Sequence, residues 1–390
     1  MKRVVIASEL RVMNVDGAYF TASPFGHDYW TQVLGEECPT RLLVRAMECS
    51  SVPFGATRVD GPLVEVTPLP PLRPGYGLAR ELCEAVKTAW SVAGVREPTV
   101  LRAPGIVASI LLLCMLLRRQ PFAVQLVGDP LDVGMAAGVG GRFAPVVAAV
   151  LGTTTRLACR RASVVLYVTD QYLQARYPAG RGTPTFSASD VQLDCARPSS
   201  PVSIRTSGRR VRLVTVASMD QPYKRVDLLV EAVARLRAQG WEAAATVIGG
   251  GRGADELRLR ALELGIADHV AFLGSITDRS RLRNLVSAAD LFLLCSDTEG
   301  MPRALIEAMH DGVPCIGTRV GGIVELLPPY ALAAPGSVDS IVAAVIRHIA
   351  IPELAERNRQ HCLVRSQAFV PEVLAPRRRA FLKLVLSGGT

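Results

Sequence analysis

A chain of 390 residues exceeds the usual single-domain size, and 49% hydrophobic residues with 33 Gly and 26 Pro describe globular packing broken by many turns, which excludes disorder. The net charge is +9, but aromatics are only 5% of residues and no stacking pattern accompanies the arginines, which argues against a nucleic-acid partner. Nine cysteines without a C-x-x-C pair give no metal-ligand spacing, and their odd number fits reduced thiols in the cytoplasm.

The N-terminus, MKRVVIASEL, starts basic, but its apolar stretch ends at Ser8 and Glu9, too short for the apolar core of a signal peptide. Short β-branched runs then recur: Val4 to Ala7, Arg41 to Val44, Leu63 to Thr67, Thr99 to Arg102, Val124 to Val127 and Val164 to Val168. Segments of helical length lie between several of them, such as Leu78 to Val92 and Ile106 to Leu117, and this alternation predicts a parallel sheet. The apolar run Val107 to Leu117, closed by Arg118 and Arg119, falls short of the roughly 20 residues of a membrane span and predicts a buried helix.

Ligands of open parallel sheets bind at the carboxyl ends of strands, so the turns there hold the candidates. In the first half these are a long loop from Asn14 to Asp28 with Asp16, Gly17 and His27, then Arg102, then Gly128-Asp129-Pro130, then Tyr167 to Pro178. Each is also compatible with an ordinary loop. From Arg176 onward the pattern breaks into RYPAGRGTP and ARPSSPVSIRTSGRR, a Pro, Gly, Ser and Arg-rich linker. We therefore expect a first domain over 1–195, a linker over 196–211, a second domain over 212–365, and a C-terminal helix near 366–390 that packs back on the first. The positive excess gathers in 191–212 and 352–390, including Arg205, Arg209, Arg210, Arg212, Arg377 to Arg379 and Lys383. A solvated hinge and tail account for these charges; a phosphate-bearing cleft or peripheral contact with an anionic membrane is the alternative.

After the linker the alternation restarts with Arg212 to Ala217, Ala244 to Ile248, Val270 to Leu273, Leu291 to Cys295 and Val313 to Ile316. Val226, Leu229, Val230, Val233 and Leu236 define one face of an amphipathic helix. Four turns here carry chemistry. Lys224 and Arg225 stand at the start of that helix, where cations suit a diphosphate. Gly249, Gly250 and Gly251 precede a helix and permit close backbone approach. In SDTEGMPRALIEAMHDGVPCIGT, Glu299 lies before a helix of about Pro302 to Asp311 and Glu307 lies inside it. Free N–H groups near Gly300, Met301 and Arg303, on either side of Pro302, suit phosphate oxygens, and the carboxylates suit sugar hydroxyls. The fourth turn runs from Gly317 to Glu325 with Thr318, Gly321 and Gly322.

The string E-G-M-P-R-A-L-I-E, Glu299 to Glu307, continued by A-M-x-x-G-x-P and then G-T-x-x-G-G-x-x-E, resembles the retaining glycosyltransferases of family 4, most clearly from about Arg212 to His348. The resemblance implies a GT-B fold: two Rossmann-like doubly wound α/β domains facing a central cleft. It implies a nucleotide-diphosphate sugar as donor, a separate acceptor molecule, retention of anomeric configuration, and no tightly bound cofactor or metal. On it, Glu307 holds the ribose hydroxyls, the Glu299 loop contacts the transferred sugar, Lys224 neutralises the leaving diphosphate, and Thr318 shapes the donor pocket. The Gly17 loop approaches the donor phosphates, and Arg102 and Tyr167 lie on the acceptor side. Many relatives place an Arg five residues before this Lys; here Met219 stands there, which leaves Arg225 as the candidate second cation. Retention in this group is ascribed to front-face substitution in which the leaving phosphate takes the acceptor proton, with Asp129 or His27 as alternative general bases. A GT-B epimerase or phosphorylase and a non-catalytic nucleotide-sugar binding protein are the rival readings. A nicotinamide oxidoreductase is disfavoured, because no strand is followed by G-x-G-x-x-G with an acidic residue about 20 positions on.

Overall fold

The computed structural model describes residues 3–35, 38–53, 55–73, 77–130, 144–193 and 208–388. The chain divides into two compact units, residues 1–188 with 375–390, and residues 189–374. The expected linker over 196–211 lies outside the described residues up to position 207.

Among the described residues, the first unit is built on a nine-stranded sheet. Its strands are β1 (Val4–Val15), β2 (Ala18–Thr21), β3 (Thr40–Glu48), β4 (Thr57–Arg58), β5 (Val64–Leu69), β6 (Thr99–Ala103), β7 (Ala123–Leu126), β8 (Val165–Tyr167) and β9 (Thr185–Ser187). β5, β3, β1, β6, β7, β8 and β9 run parallel in that spatial order. Val4, Val5, Ile6 and Ala7 are buried on both faces, as a central parallel strand requires. β1 does not stop there: its register on β3 shifts between Ala7 and Arg11, and it continues to Val15 before turning back as β2. The sequence predicts a loop over Asn14 to Asp28, whereas the structure has a hairpin whose two turn residues, Asp16 and Gly17, have φ of 50° and 83°. An Asp-Gly pair with both residues left-handed matches the right-handed twist of its strands, so the turn chemistry favours this hairpin.

The described helices of this unit are α1 (His27–Leu34), α2 (Leu78–Gly94), α3 (Ile106–Leu117), α4 (Ala144–Arg161) and α5 (Tyr172–Arg176). α3 is the predicted buried helix, with Val107, Ile110, Leu111, Leu112 and Met115 in the core.

The second unit holds a six-stranded parallel sheet of β10 (Arg210–Val216), β11 (Glu242–Ile248), β12 (Val270–Phe272), β13 (Leu291–Leu294), β14 (Cys315–Thr318) and β15 (Leu332–Ala333), in the order β12-β11-β10-β13-β14-β15. That order reverses between β10 and β13, the switch point where a crevice opens beyond the strand ends. Helices α6 (Val226–Ala238), α7 (Ala254–Glu263), α8 (Arg279–Ser287), α9 (Arg303–His310), α10 (Ile323–Leu326), α11 (Val338–Ala350) and α12 (Pro352–Ser366) follow, then α13 (Pro371–Ser387). The five apolar positions predicted for one face of α6 are all at most 7% exposed. β14 starts two residues later than predicted and so ends on Thr318.

α13 begins in the second unit and continues in the first. Its Arg377 donates to the Ser187 carbonyl at 3.2 Å, and Phe381 meets Phe186 edge-on.

Candidate functional site

The turns after β10 and β13 meet at the switch point of the second sheet. After β10 the chain enters a 3-10 turn, Pro222–Lys224, and Arg225 follows with φ 49° and ψ 48°. The Asp297 N–H donates to the Tyr223 carbonyl at 2.8 Å, so the two turns are stitched together by backbone. The stitch brings the Lys224 ammonium to 2.6 Å from Glu299 Oε1, and the Ser296 hydroxyl donates to the same oxygen at 2.7 Å. Glu299 is only 7% exposed, and a carboxylate that buried is tolerable because a cation and a hydroxyl compensate it. Ser296 is held in turn, since its carbonyl accepts the Thr318 hydroxyl.

Two further side chains flank this pair. Burial, with the Glu299 charge beside it, pushes the Tyr223 phenol far above the ordinary tyrosine range, so it stays a neutral donor. Burial likewise pushes the Cys295 thiol up to about 12, which removes it as a nucleophile at neutral pH. Ser296 and Tyr223 were not singled out from sequence. The only signal for Ser296 is its position three residues before Glu299 in a strand-to-helix turn.

α9 starts one residue later than predicted, with Pro302 as its N-cap at ψ 107°. Gly300, Met301 and Pro302 form the turn leading into it, and Arg303 opens it. Glu307 is half-buried on α9, about 6 Å along the axis from Arg303. The turn rests directly on the one after β14: the Gly322 N–H donates to the Gly300 carbonyl at 2.9 Å. A Cβ on Gly321 would lie 1.9 Å from the Glu299 carbonyl oxygen, and one on Gly322 2.0 Å from that of Gly300. The G-G pair therefore fixes the height of the Glu299 loop, and a side chain at either position displaces it.

The glycines after β11 have a similar explanation. A Cβ on Gly249 would fall 2.0 Å from the Ala217 carbonyl oxygen and one on Gly251 2.2 Å from the Asp220 nitrogen. These glycines admit the close approach of the turn after β10, so they position the Lys224 segment by packing. Met219 is buried in that contact, at 7% exposure.

Arg225, the candidate second cation, lies between the same two turns. Its guanidinium pairs with Asp227 at 2.8 Å and with Asp297 at 3.2 Å, and the bonds to Asp227 and Asp297 hold it more firmly charged than an ordinary arginine. Paired with a carboxylate from each turn, this cation braces the two turns against each other.

The first-unit candidates fall into separate places. Gly17 is the hairpin tip, with no atom near its would-be Cβ, and its glycine answers a positive φ. His27 opens α1, and its ring lies where a Cβ on Gly61 would sit, 2.5 Å away. Asp129 is 1% exposed; it accepts from the Tyr177 hydroxyl at 2.7 Å and pairs with Arg176 at 2.9 Å. Both oxygens are engaged, which anchors the turn after β7 to the end of α5. Tyr167 is 1% exposed with its hydroxyl on the Tyr177 carbonyl at 2.8 Å, so it packs the core and does not line a surface. Arg102 is also buried, donating to the Tyr29 hydroxyl at 3.3 Å with its guanidinium 4.7 Å from the Phe25 ring centroid.

One group absent from the sequence reading is Glu9. It sits in the β1 register shift, at the reversal of strand order in the first sheet, accepts the Val107 N–H at the start of α3 at 2.6 Å, and pairs with Arg45 at 2.6 Å. Gly105 leaves the space it fills, since a Cβ there would lie 2.3 Å from its Cγ. The N-terminal end of α3, which would otherwise attract an anion, thus carries an internal one.

Among the described residues no cluster of three or more His, Cys, Asp or Glu side chains is placed to hold a metal ion.

Comparison with known proteins agrees with this architecture. Residues 206–361 match the family model for glycosyl transferases group 1. The chain is 25% identical over 262 residues to Protein CapJ of Staphylococcus aureus, a stretch covering 67% of this chain and 65% of CapJ. It is 38% identical over 104 residues to the N-acetyl-alpha-D-glucosaminyl L-malate synthase of Bacillus anthracis, covering 27% of this chain and 26% of that protein. The crystal structure of Anabaena HepE in complex with UDP and glucose superposes with a TM-score of 0.68 at 17% identity, covering 98% of this chain and all of HepE. The chain therefore has the two-domain α/β fold of GT-B glycosyltransferases, and its 206–361 segment carries the glycosyl transferases group 1 pattern.

Proposed function

We propose that this protein is a retaining glycosyltransferase of family 4 that moves a hexose from a nucleotide-diphosphate sugar to an acceptor nucleophile in a biosynthetic pathway. The observation that carries the reading is the convergence of Lys224 and Glu299 at 2.6 Å on the switch point of the second sheet, beside the N-terminal end of α9. On this reading the N–H groups of the Gly300 to Arg303 turn and the Lys224 ammonium receive the diphosphate, Glu307 accepts the ribose hydroxyls, and Glu299 accepts sugar hydroxyls. Charge on the leaving diphosphate grows as the glycosidic bond breaks, so a cation and a helix N-terminus placed there favour the transition state over the ground state. The likeness to HepE, whose structure contains UDP and glucose, and to a glucosaminyl malate synthase supports this use of the site.

The test is turnover of UDP-, GDP-, ADP- and dTDP-sugars by the whole protein, read as release of free nucleoside diphosphate, with the anomeric configuration of the product read by proton NMR. Release with an α-linked product from an α-linked donor supports the reading. An inverted product refutes retention, and binding of every donor without release refutes transfer.

A further inference from the structure

β1 and β3 set two arginines side by side. Beyond the register shift, Arg11 of β1 is the Cα partner of Arg45 of β3, so both side chains leave the same face of the first sheet, toward the carboxyl ends of the strands. Like charges directly opposite each other on neighbouring strands destabilise a sheet. Two positions further along the same face Met13 partners Met47, and a third cation arrives there: Arg73 brings Nη2 to 3.1 Å from the Met47 sulfur.

The carboxylates around them are largely spent. Glu9 accepts the Val107 N–H with Oε1 and pairs with Arg45 through Oε2. Glu48 accepts from the Asn14 side chain, and Glu81 accepts the backbone N–H of Arg73. Arg11 is exposed, and no carboxylate among the described residues pairs with it. Arg45 is the more telling of the two: its side chain is 11% exposed, it spends Nη2 on Glu9, and its buried Nε–H has no acceptor among the described residues. A cation so withdrawn from water is normally paired on every N–H, because each unmade bond costs free energy. An oxyanion between the two guanidiniums removes their repulsion and supplies the acceptors, and the planar fork of arginine matches the oxygens of a phosphoryl or carboxylate group.

We propose that Arg11 and Arg45 receive a phosphoryl or carboxylate group of the acceptor, so that the acceptor is an anion. Calling the ligand an acceptor rests on the transferase reading, whereas the oxyanion site rests on the geometry of the first unit alone.

The whole nitrogen-15-labelled protein is titrated with inorganic phosphate, glucose 6-phosphate, glucuronate and neutral glucose, and the arginine Nε–H signals are followed by NMR. We expect the Arg11 and Arg45 signals to shift saturably with the anions and to stay in place with glucose. Arg11→Gln, at an exposed position, should weaken anion binding about tenfold or more. Arg45→Lys, which keeps a cation for Glu9 and loses the fork, should weaken it as well, and Arg161→Gln, at an exposed arginine of α4, should bind as the parent does. In assays of nucleoside diphosphate release, the anionic sugars should stimulate more than glucose, and Arg11→Gln should raise their KM and leave the donor KM unchanged. Absent shifts with every anion, unchanged binding in Arg11→Gln, or equal stimulation by glucose overturns the proposal. So does a nucleoside diphosphate that shifts these signals at lower concentration than glucose 6-phosphate, which would assign the arginines to the donor. Saturable shifts in a protein that releases no nucleoside diphosphate from any donor would refute the transferase reading and the acceptor assignment with it, whereas absent shifts in a protein that does release it would refute the arginine site alone.

Discussion

At the scale of single residues, the Lys224–Glu299 pair sets what substitutions will do. Glu307→Ala should raise the donor dissociation constant, because each charge-assisted bond to a ribose hydroxyl is worth about 1.5 to 3 kcal/mol. Isothermal titration with the cognate nucleoside diphosphate checks this, and an unchanged constant removes Glu307 from the site. Lys224→Ala should act differently, lowering kcat more than it weakens binding, since the charge it meets grows during bond cleavage. It should also destabilise the free protein by about 1 to 3 kcal/mol, because it takes the cation from the 7% exposed Glu299 and leaves it the Ser296 hydroxyl. Wild-type turnover in that variant would make Lys224 a structural ion-pair partner. The glutamates and the lysine were legible because each stands at a fixed offset from a strand end. The fate of Arg225 was not: Asp297, one of its two partners, lies 72 residues along the chain, and only the fold brings them together. The partners of Asp129 were hidden for the same reason, since Tyr177 lies 48 residues away and shows no sign in the sequence that its hydroxyl will be spent on it.

At the scale of elements, a buried polar network fastens α12 to β14. The His348 Nδ1–H donates to the Ala344 carbonyl at 2.7 Å, so Nε2 is the lone-pair nitrogen and accepts from the Asn358 amide at 2.9 Å. The same amide donates to the Cys315 carbonyl at 2.9 Å, and its oxygen accepts the Cys315 N–H at 3.3 Å. Burial holds the His348 pKa below the ordinary imidazole value, with the Arg347 charge acting in the same direction. The native state then resists the proton that the unfolded chain accepts. Stability should be full above about pH 6.5 and decline as the pH falls below it. Urea titrations between neutral and mildly acidic pH should show the decline, and His348→Gln should flatten it; an equally steep decline in that variant would place the titrating group elsewhere. Asn358→Ala should cost about 2 to 4 kcal/mol at neutral pH by leaving backbone and imidazole groups unpaired. The β–α alternation around this network was readable because parallel strands buried on both faces are continuous apolar runs. The β1–β2 hairpin was overlooked although Asp16-Gly17 is a strong turn signal, because β1 outruns its apolar segment through a bulge that no periodicity marks.

At the scale of the whole molecule, the proposed donor site is confined to one unit. Lys224, Ser296, Glu299, Glu307 and Thr318 all belong to residues 189–374, which carry their own six-stranded sheet and their own core of strands packed on α6 and α11. The family pattern lies in the same unit, which is why the site was legible in the second half of the sequence, whereas the first-half candidates are scattered among hairpin, core and helix end. A unit with its own sheet and core should fold alone. The C-terminal helix complicates where to cut, since Arg377 and Phe381 belong with the first unit, so a fragment should end at Leu374. We expect residues 189–374 to give a cooperative urea transition and to bind the cognate nucleoside diphosphate within about tenfold of the full chain, about 1.4 kcal/mol. On the proposal that the first unit receives the acceptor, the fragment should transfer no sugar. A folded fragment that fails to bind would show that the rest of the chain supplies donor contacts, for which the Gly17 loop is the candidate. A fragment that transfers sugar would move the acceptor site into the second unit.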